Sequence, residues 1–185
     1  MAWVFTTNQF YGCFFHPAVK NQSQLGEISM LSIRSAHRSD VEMLKALIHE
    51  MGEYERLPVT IAEETLARDG FGPRPEFRVL IADWDGQPAG YAFFFNCYST
   101  FRGRGLFLED LFVRPQFRGK KVGDTLLAHV AAVAREEDCF GIMLSVLAWN
   151  QPAIGFFRKH HAEFLDDWKT ACLSGEALRT LTPAR

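Results

Sequence analysis

No apolar run in this 185-residue chain approaches the roughly 20 residues that a membrane-spanning helix needs, so no membrane partner is expected. Positive charge is not in surplus either. Twenty Lys and Arg stand against 22 Asp and Glu, and without a basic excess nucleic acid is not the implied partner. Cysteine is scarce. Cys13, Cys97, Cys139 and Cys172 form no CxxC pair, which removes the spacing that structural zinc uses, and no metal is expected. Reduced, mostly buried thiols in a cytoplasmic protein are the simpler reading. The chain also lacks a Walker loop and a GxGxxG dinucleotide loop.

The first 29 residues differ from the rest. They carry no Lys or Arg before Lys20, and Asn8, Gln9, Gly12 and Pro17 break up any signal-peptide core. Residues 1–29 therefore read as a leader, either disordered or not native. In the second case Met30 is the natural start, since Gly26-Glu27 can be encoded by a purine-rich run at ribosome-site distance before it. Residues 30–185 read as one domain, and a 48% hydrophobic composition is enough to build its core.

From Leu31 the pattern becomes regular. LSIR is a short strand. Ser39 with Glu42, and Thr60 with Glu63, have the capping-box spacing that opens a helix, and Gly70 is placed to end the second one. Between them Val41, Leu44, Leu47, Ile48 and Met51 recur at helical spacing. Residues 77–83 and 88–98 read as strands joined by an Asp85-Gly86 hairpin turn. Leu106–Val113 is another strand. Residues 122–137 form a helix with Val122, Leu126, Val130 and Val133 on one face. Residues 141–147 read as a buried strand, followed by a short helix that Asn150 caps and Pro152 enters. Residues 168–173 are a last strand. The order β, α, α, β, β, β, α, β, α, β predicts an α/β (α+β) mixed sheet with helices on its faces. Phe93-Phe94-Phe95 belong to a central strand and carry no chemistry.

Two segments carry chemistry. Arg118-Gly119-Lys120-Lys121-Val122-Gly123 is a basic glycine turn entering a helix. Its unpaired N–H groups and the positive end of the helix dipole suit phosphate oxygens, although a solvated basic turn has the same composition. Just upstream, Glu109 and Asp110 interrupt the apolar run LFLEDLFV. A carboxylate in a partly dry pocket has a raised pKa and can take a proton from an ammonium group of pKa about 10.4. The plainer alternative is simple alternation, with one acid in solvent and one in a salt bridge.

LFVRPQFRGKKVG resembles motif A of the GCN5-related N-acetyltransferase (GNAT) superfamily, and VLAWNQPAIGFF (146–157) resembles its motif B. More narrowly, the chain from Leu31 onward is similar to the diamine acetyltransferases. That similarity rests on EYERL (53–57), DGFG (69–72), YSTFRGRGLFLED (98–110), VLAWNQ (146–151) and W-x-x-x-CLSGEA (168–177). YST and WNQ look more like the thialysine branch than the polyamine branch.

The resemblance implies the GNAT acyl-CoA N-acyltransferase fold, acetyl-CoA as co-substrate and a homodimer. It assigns the acetyl and pantetheine portions to Leu111, Phe112, Val113 and Asn150, and the pyrophosphate to Arg118, Gly119, Lys120, Lys121, Val122, Gly123 and Asp124. It assigns a small amine to Tyr54, Glu55, Asp110, Trp149 and Trp168, with Glu109 accepting the proton through water. Two positions depart from the family pattern. Lys121 stands where motif A has its central glycine. Phe157, beside the cofactor arm, replaces a tyrosine that protonates the departing sulfur. Tyr98, Ser145, His160 and His161 are the groups available to substitute. Cys97 and Cys139 lack a His partner, so direct attack in a ternary complex is expected. The rivals are a GNAT acting on a protein or aminoglycoside amine, and an acetyl-CoA-binding sensor without turnover.

Overall fold

The computed structural model describes residues 30–183; the leader and its proposed start lie outside the described residues apart from Met30 itself. Five strands form one sheet in chain order: β1 (Leu31–Ser35), β2 (Arg78–Trp84), β3 (Gln87–Ser99), β4 (Gly103–Val113) and β5 (Ile142–Leu144). The first three pairings are antiparallel, and β4 pairs with β5 in parallel. Asp85 and Gly86 join β2 to β3 with φ of 51° and 77°, the left-handed pair that matches the twist of a two-residue hairpin.

Helices cover both faces. On one side, α1 (Val41–Glu55) and α2 (Glu63–Phe71) pack Leu44, Leu47, Ile48 and Leu66 against Val79, Ile81, Tyr91 and Phe112. On the other, α3 (Val122–Glu136) packs Val122, Leu126, Val130 and Ala134 against Ala92, Phe94, Leu106 and Leu108. The fourth buried position of α3 is Ala134; Val133 is only partly buried. α4 (Gln151–Lys159) adds Phe157 to that second core, and α5 (Gly175–Thr180) buries nothing. The expected mixed sheet with helices on both faces is the observed architecture.

Several local expectations are corrected. Neither predicted capping box forms. Asp40, held by Arg34 at 2.7 and 3.0 Å, instead accepts from the His37 N–H at 2.7 Å and opens a 3-10 turn at Arg38–Asp40. α2 starts at Glu63 behind Ala62, which offers no side-chain cap. Gly70 lies inside α2 rather than ending it, because a Cβ there would run into the Phe77 ring. The strand expected at 141–147 shrinks to Ile142–Leu144 and is only partly buried. Residues 168–173 form no strand, and the helix α5 that follows them was not expected. Cys97 and Cys139 are half-buried, but Cys172 is exposed.

Candidate functional site

The site begins as a fault in the sheet. β4 pairs with β3 at Phe93↔Asp110 and Phe94↔Leu108, so Glu109 is an extra residue without an opposite partner. A bulge of this kind bends its strand and sharpens the twist. It also switches faces. Leu106 and Leu108 point to α3 ahead of the bulge, and Leu111 and Val113 do so after it. Asp110 and Phe112 are thereby turned to the α1 side. β5 accompanies β4 only from Leu106 to Leu108. Beyond that, the outer edge of β4 from Glu109 to Val113 opens on a cavity of about 1020 Å³. Among the described residues its outward backbone groups have no strand partner there, and apart from the Val113 carbonyl, which accepts from Arg118, they can serve a ligand lying along the strand.

One end of the cavity is built for anions. The first hydrogen bond of α3 runs from the Thr125 N–H to the Lys121 carbonyl at 2.9 Å, and no side chain caps the helix. The N–H groups of Val122, Gly123 and Asp124 lie ahead of that bond, at the positive end of the dipole. Gly119 turns the chain with φ 75°, and Lys121 adopts φ 63°, the left-handed conformation that a glycine holds without strain. Arg118 donates from Nε to the Val113 carbonyl at 3.0 Å and lays its guanidinium over the Tyr54 ring at 4.8 Å. The Tyr54 hydroxyl donates to Asn150 Oδ1 at 3.2 Å, and the same oxygen caps α4 through the Ala153 N–H at 3.3 Å. α1, the basic turn and α4 are thus tied together around the middle of the cavity. Asn150 is buried, as its double use requires.

The other end is acidic. Glu55 from α1 and Glu109 and Asp110 from β4 line it together. Burial raises Glu55 above the usual carboxylate range. Asp110 is pushed up to about 7, first by burial and then by the charges of Glu109 and Glu55, while a hydrogen bond from Tyr91 pulls the other way. Tyr91 on β3 is fully buried, and its hydroxyl donates to Asp110 Oδ2 at 3.0 Å and lies 3.4 Å from the Met51 sulfur. Burial also holds the Tyr91 phenol well above its ordinary range, so it remains a donor. Glu109 is exposed.

Most of the expected residues meet here: Leu111, Phe112 and Val113 on β4, Arg118 to Asp124 apart from Lys120, Asn150 capping α4 and Phe157 on it, and Tyr54 and Glu55 on α1. Three do not line the cavity. The Lys120 ammonium sits over Trp84 and Phe117, at 4.9 and 5.5 Å, drawn by cation–π attraction. Trp149 leans on Tyr54 with ring centres 6.1 Å apart and is half exposed. Trp168 is 79% exposed, in a C-terminal stretch that packs on neither core. The Asp124 side chain is also not free for a ligand. Its carboxylate, lowered chiefly by the Lys159 ammonium, takes Lys159 at 2.6 Å and His160 at 3.0 Å, leaving its backbone N–H for an anion. Of the groups able to replace the missing tyrosine hydroxyl, Ser145 lines the cavity, whereas Tyr98 stands exposed near the β3–β4 hairpin tip. Arg102 also belongs to that tip and lies over Phe140 at 4.4 Å. Tyr91 and Met51 escaped sequence reasoning. Tyr91 reads as one more aromatic in a core strand, and its hydroxyl was the available signal.

The comparisons agree with this geometry. The family model described as Acetyltransferase (GNAT) family matches residues 42–162. Thialysine N-epsilon-acetyltransferase of Bos taurus is 35% identical over 167 residues, covering 83% of this chain and 98% of that protein. L-ornithine N5-acetyltransferase of Arabidopsis thaliana is 26% identical over 211 residues, covering 88% of this chain and 92% of that protein. A protein of Clostridium acetobutylicum described as a predicted acetyltransferase and solved with acetyl-CoA superposes with a TM-score of 0.64 at 18% identity, over 78% of this chain and 97% of its own. The split between β4 and β5, the open N-terminus of α3 and the family match over residues 42–162 lead to one conclusion: the chain belongs to the GNAT family of acetyl-CoA-dependent N-acetyltransferases.

Proposed function

We propose that the protein transfers the acetyl group of acetyl-CoA to a primary amine of a small thialysine- or lysine-like amino acid or diamine, by direct attack in a ternary complex. The observation that carries this reading is one continuous cavity with helix N–H donors at one end and three carboxyl groups at the other. The residues present fit acetyl-CoA. Val122, Gly123 and Asp124 offer uncapped N–H groups to its pyrophosphate, with Arg118 and Lys121 alongside. The open edge from Leu111 to Val113 and the side chain of Asn150 suit an amide-bearing arm. When bound, acetyl-CoA supplies the activated thioester. Glu55, Glu109 and Asp110 attract and orient an ammonium group, and one carboxylate of this set removes its proton. The curated relatives named for thialysine and ornithine acetylation point to the same substrate class.

A non-catalytic sensor is the second reading, and Phe157 and the left-handed Lys121 are the observations in its favour. Retention of the acidic end weighs against it. The same proposal places the protein in the cytoplasm, as its free thiols suit, and as a homodimer. Trp168, Leu173, Leu178 and Leu181 lie exposed on the C-terminal stretch, as an arm reaching a second copy requires, and light scattering tests this. Steady-state CoA release with thialysine, lysine, ornithine, spermidine and diaminopropane tests the activity. Saturable turnover with a lysine-like amine is expected, and acetyl-CoA binding without turnover on any amine contradicts it.

A further inference from the structure

We propose that Asp110, rather than Glu109, is the carboxylate that takes the proton from the bound ammonium, and that Tyr91 is its positioning residue. The inference rests on the amine-acetylation reading above. It starts from the bulge. With regular pairing, Asp110 would fall in phase with Leu106 and Leu108 and face α3. The extra residue at Glu109 turns Asp110 to the α1 side, beside Tyr91 and Glu55. There Tyr91, fully buried, fixes Oδ2 at 3.0 Å. Asp110 Oδ1 has no protein partner among the described residues. Among the described residues no buried side-chain oxygen or nitrogen is left unpartnered, so Oδ1 is not sealed off and is open to the cavity that Asp110 lines. Glu109 also lines the cavity, but it is exposed and has no such anchor, so it can steer a cation without being held in one position against it.

The groups facing Asp110 are Tyr91 from β3, Glu55 from α1 and Glu109 on its own strand. Burial and the two carboxylates raise its proton affinity to about 7, and the Tyr91 donor moderates the rise. A base poised there accepts a proton readily at neutral pH, whereas an ordinary surface carboxylate is too weak a base. The step balances as follows. The ammonium N–H bond breaks, its proton goes to Asp110 Oδ1, and its electron pair stays on nitrogen. That pair forms the bond to the acetyl carbon as the C–S bond breaks. The second amine proton reaches the CoA sulfur through solvent, since Phe157 carries no hydroxyl. Asp110 then returns its proton to water, the one proton released per turnover.

The experiment compares wild type, Asp110→Asn, Glu109→Gln and Tyr91→Phe, using a lysine-like amine that the wild type acetylates. The readouts are acetyl-CoA affinity and kcat/KM against pH. Asn keeps an acceptor for the Tyr91 hydroxyl, so fold and acetyl-CoA affinity persist. The expected result is a loss of kcat/KM of about 100-fold or more for Asp110→Asn and less than about tenfold for Glu109→Gln. The wild-type profile should show an acidic limb near 7, well separated from the amine's own titration near 10. Tyr91→Phe removes the donor that stabilises the charged form, so its limb moves to higher pH by roughly 0.5–1 unit. A purely structural role for Tyr91 would lower stability and leave the limb in place. Asp110→Asn activity within a few-fold of wild type, or a limb that Tyr91→Phe leaves unmoved, overturns the proposal. A wild type that acetylates no amine contradicts the amine-acetylation reading itself, and the base role falls with it.

Discussion

Asp110→Asn should stabilise the fold, and do so in proportion to pH. Asparagine retains an acceptor for the Tyr91 hydroxyl and removes the charge that burial and two neighbouring carboxylates oppose. A carboxyl raised from 3.8 to about 7 on folding binds more protons in the native state than in the unfolded chain across that interval. Stability of the wild type therefore falls as pH rises from about 4 to about 7 and levels off above. The full difference is on the order of 4 kcal/mol, and between about pH 5 and pH 8 the gap between variant and wild type widens by about 2–3 kcal/mol. Glu55 is raised in the same direction but is present in both proteins, so its contribution largely cancels. Urea unfolding of both proteins at the two pH values measures the gap directly. A gap that stays constant, or that narrows at high pH, refutes the buried, like-charged environment assigned to Asp110.

Three other outcomes follow from single positions. Lys121→Gly relieves a left-handed conformation, so it raises stability by about 1 kcal/mol, read by thermal unfolding. Gly90 pairs with Val113, and a Cβ there meets the Phe112 carbonyl, so Gly90→Ala separates β3 from β4 and costs about 2 kcal/mol or more in urea unfolding. Phe157 lines the cavity beside Phe156, so Phe157→Tyr leaves kcat unchanged or raises it; a large loss would mean that the pocket is built around the bare ring.

Periodicity was enough to find α1, α3 and the central strands, because each buries a regular face against one partner layer. The basic turn was legible for a different reason: its function lies in backbone N–H groups whose exposure follows from a helix start, whatever the side chains do. What the sequence hid came from irregularity. Alternation along LFLEDLFV puts Asp110 on the α3 face, and only pairing against β3 reveals the bulge that reverses it. Tyr91 looked like core because it is core; its role depends on a strand nineteen residues away. Trp168 and residues 168–173 read as strand by composition, yet among the described residues they pair with no strand, although β5 leaves its outer edge unpaired. Lys120 sat inside the phosphate motif, but its ammonium lies over the faces of Trp84 and Phe117.

The central claim is acetyl transfer to a small amine in the cleft between β4 and β5. Its most direct test is to incubate the protein with isotopically labelled acetyl-CoA and a lysine-like amine and analyse the products by mass spectrometry. The account predicts label on one amine nitrogen of the small molecule, formed catalytically and about 100-fold or more slowly in Asp110→Asn. Label that stays on acetyl-CoA, or that appears only on protein lysines, would contradict it.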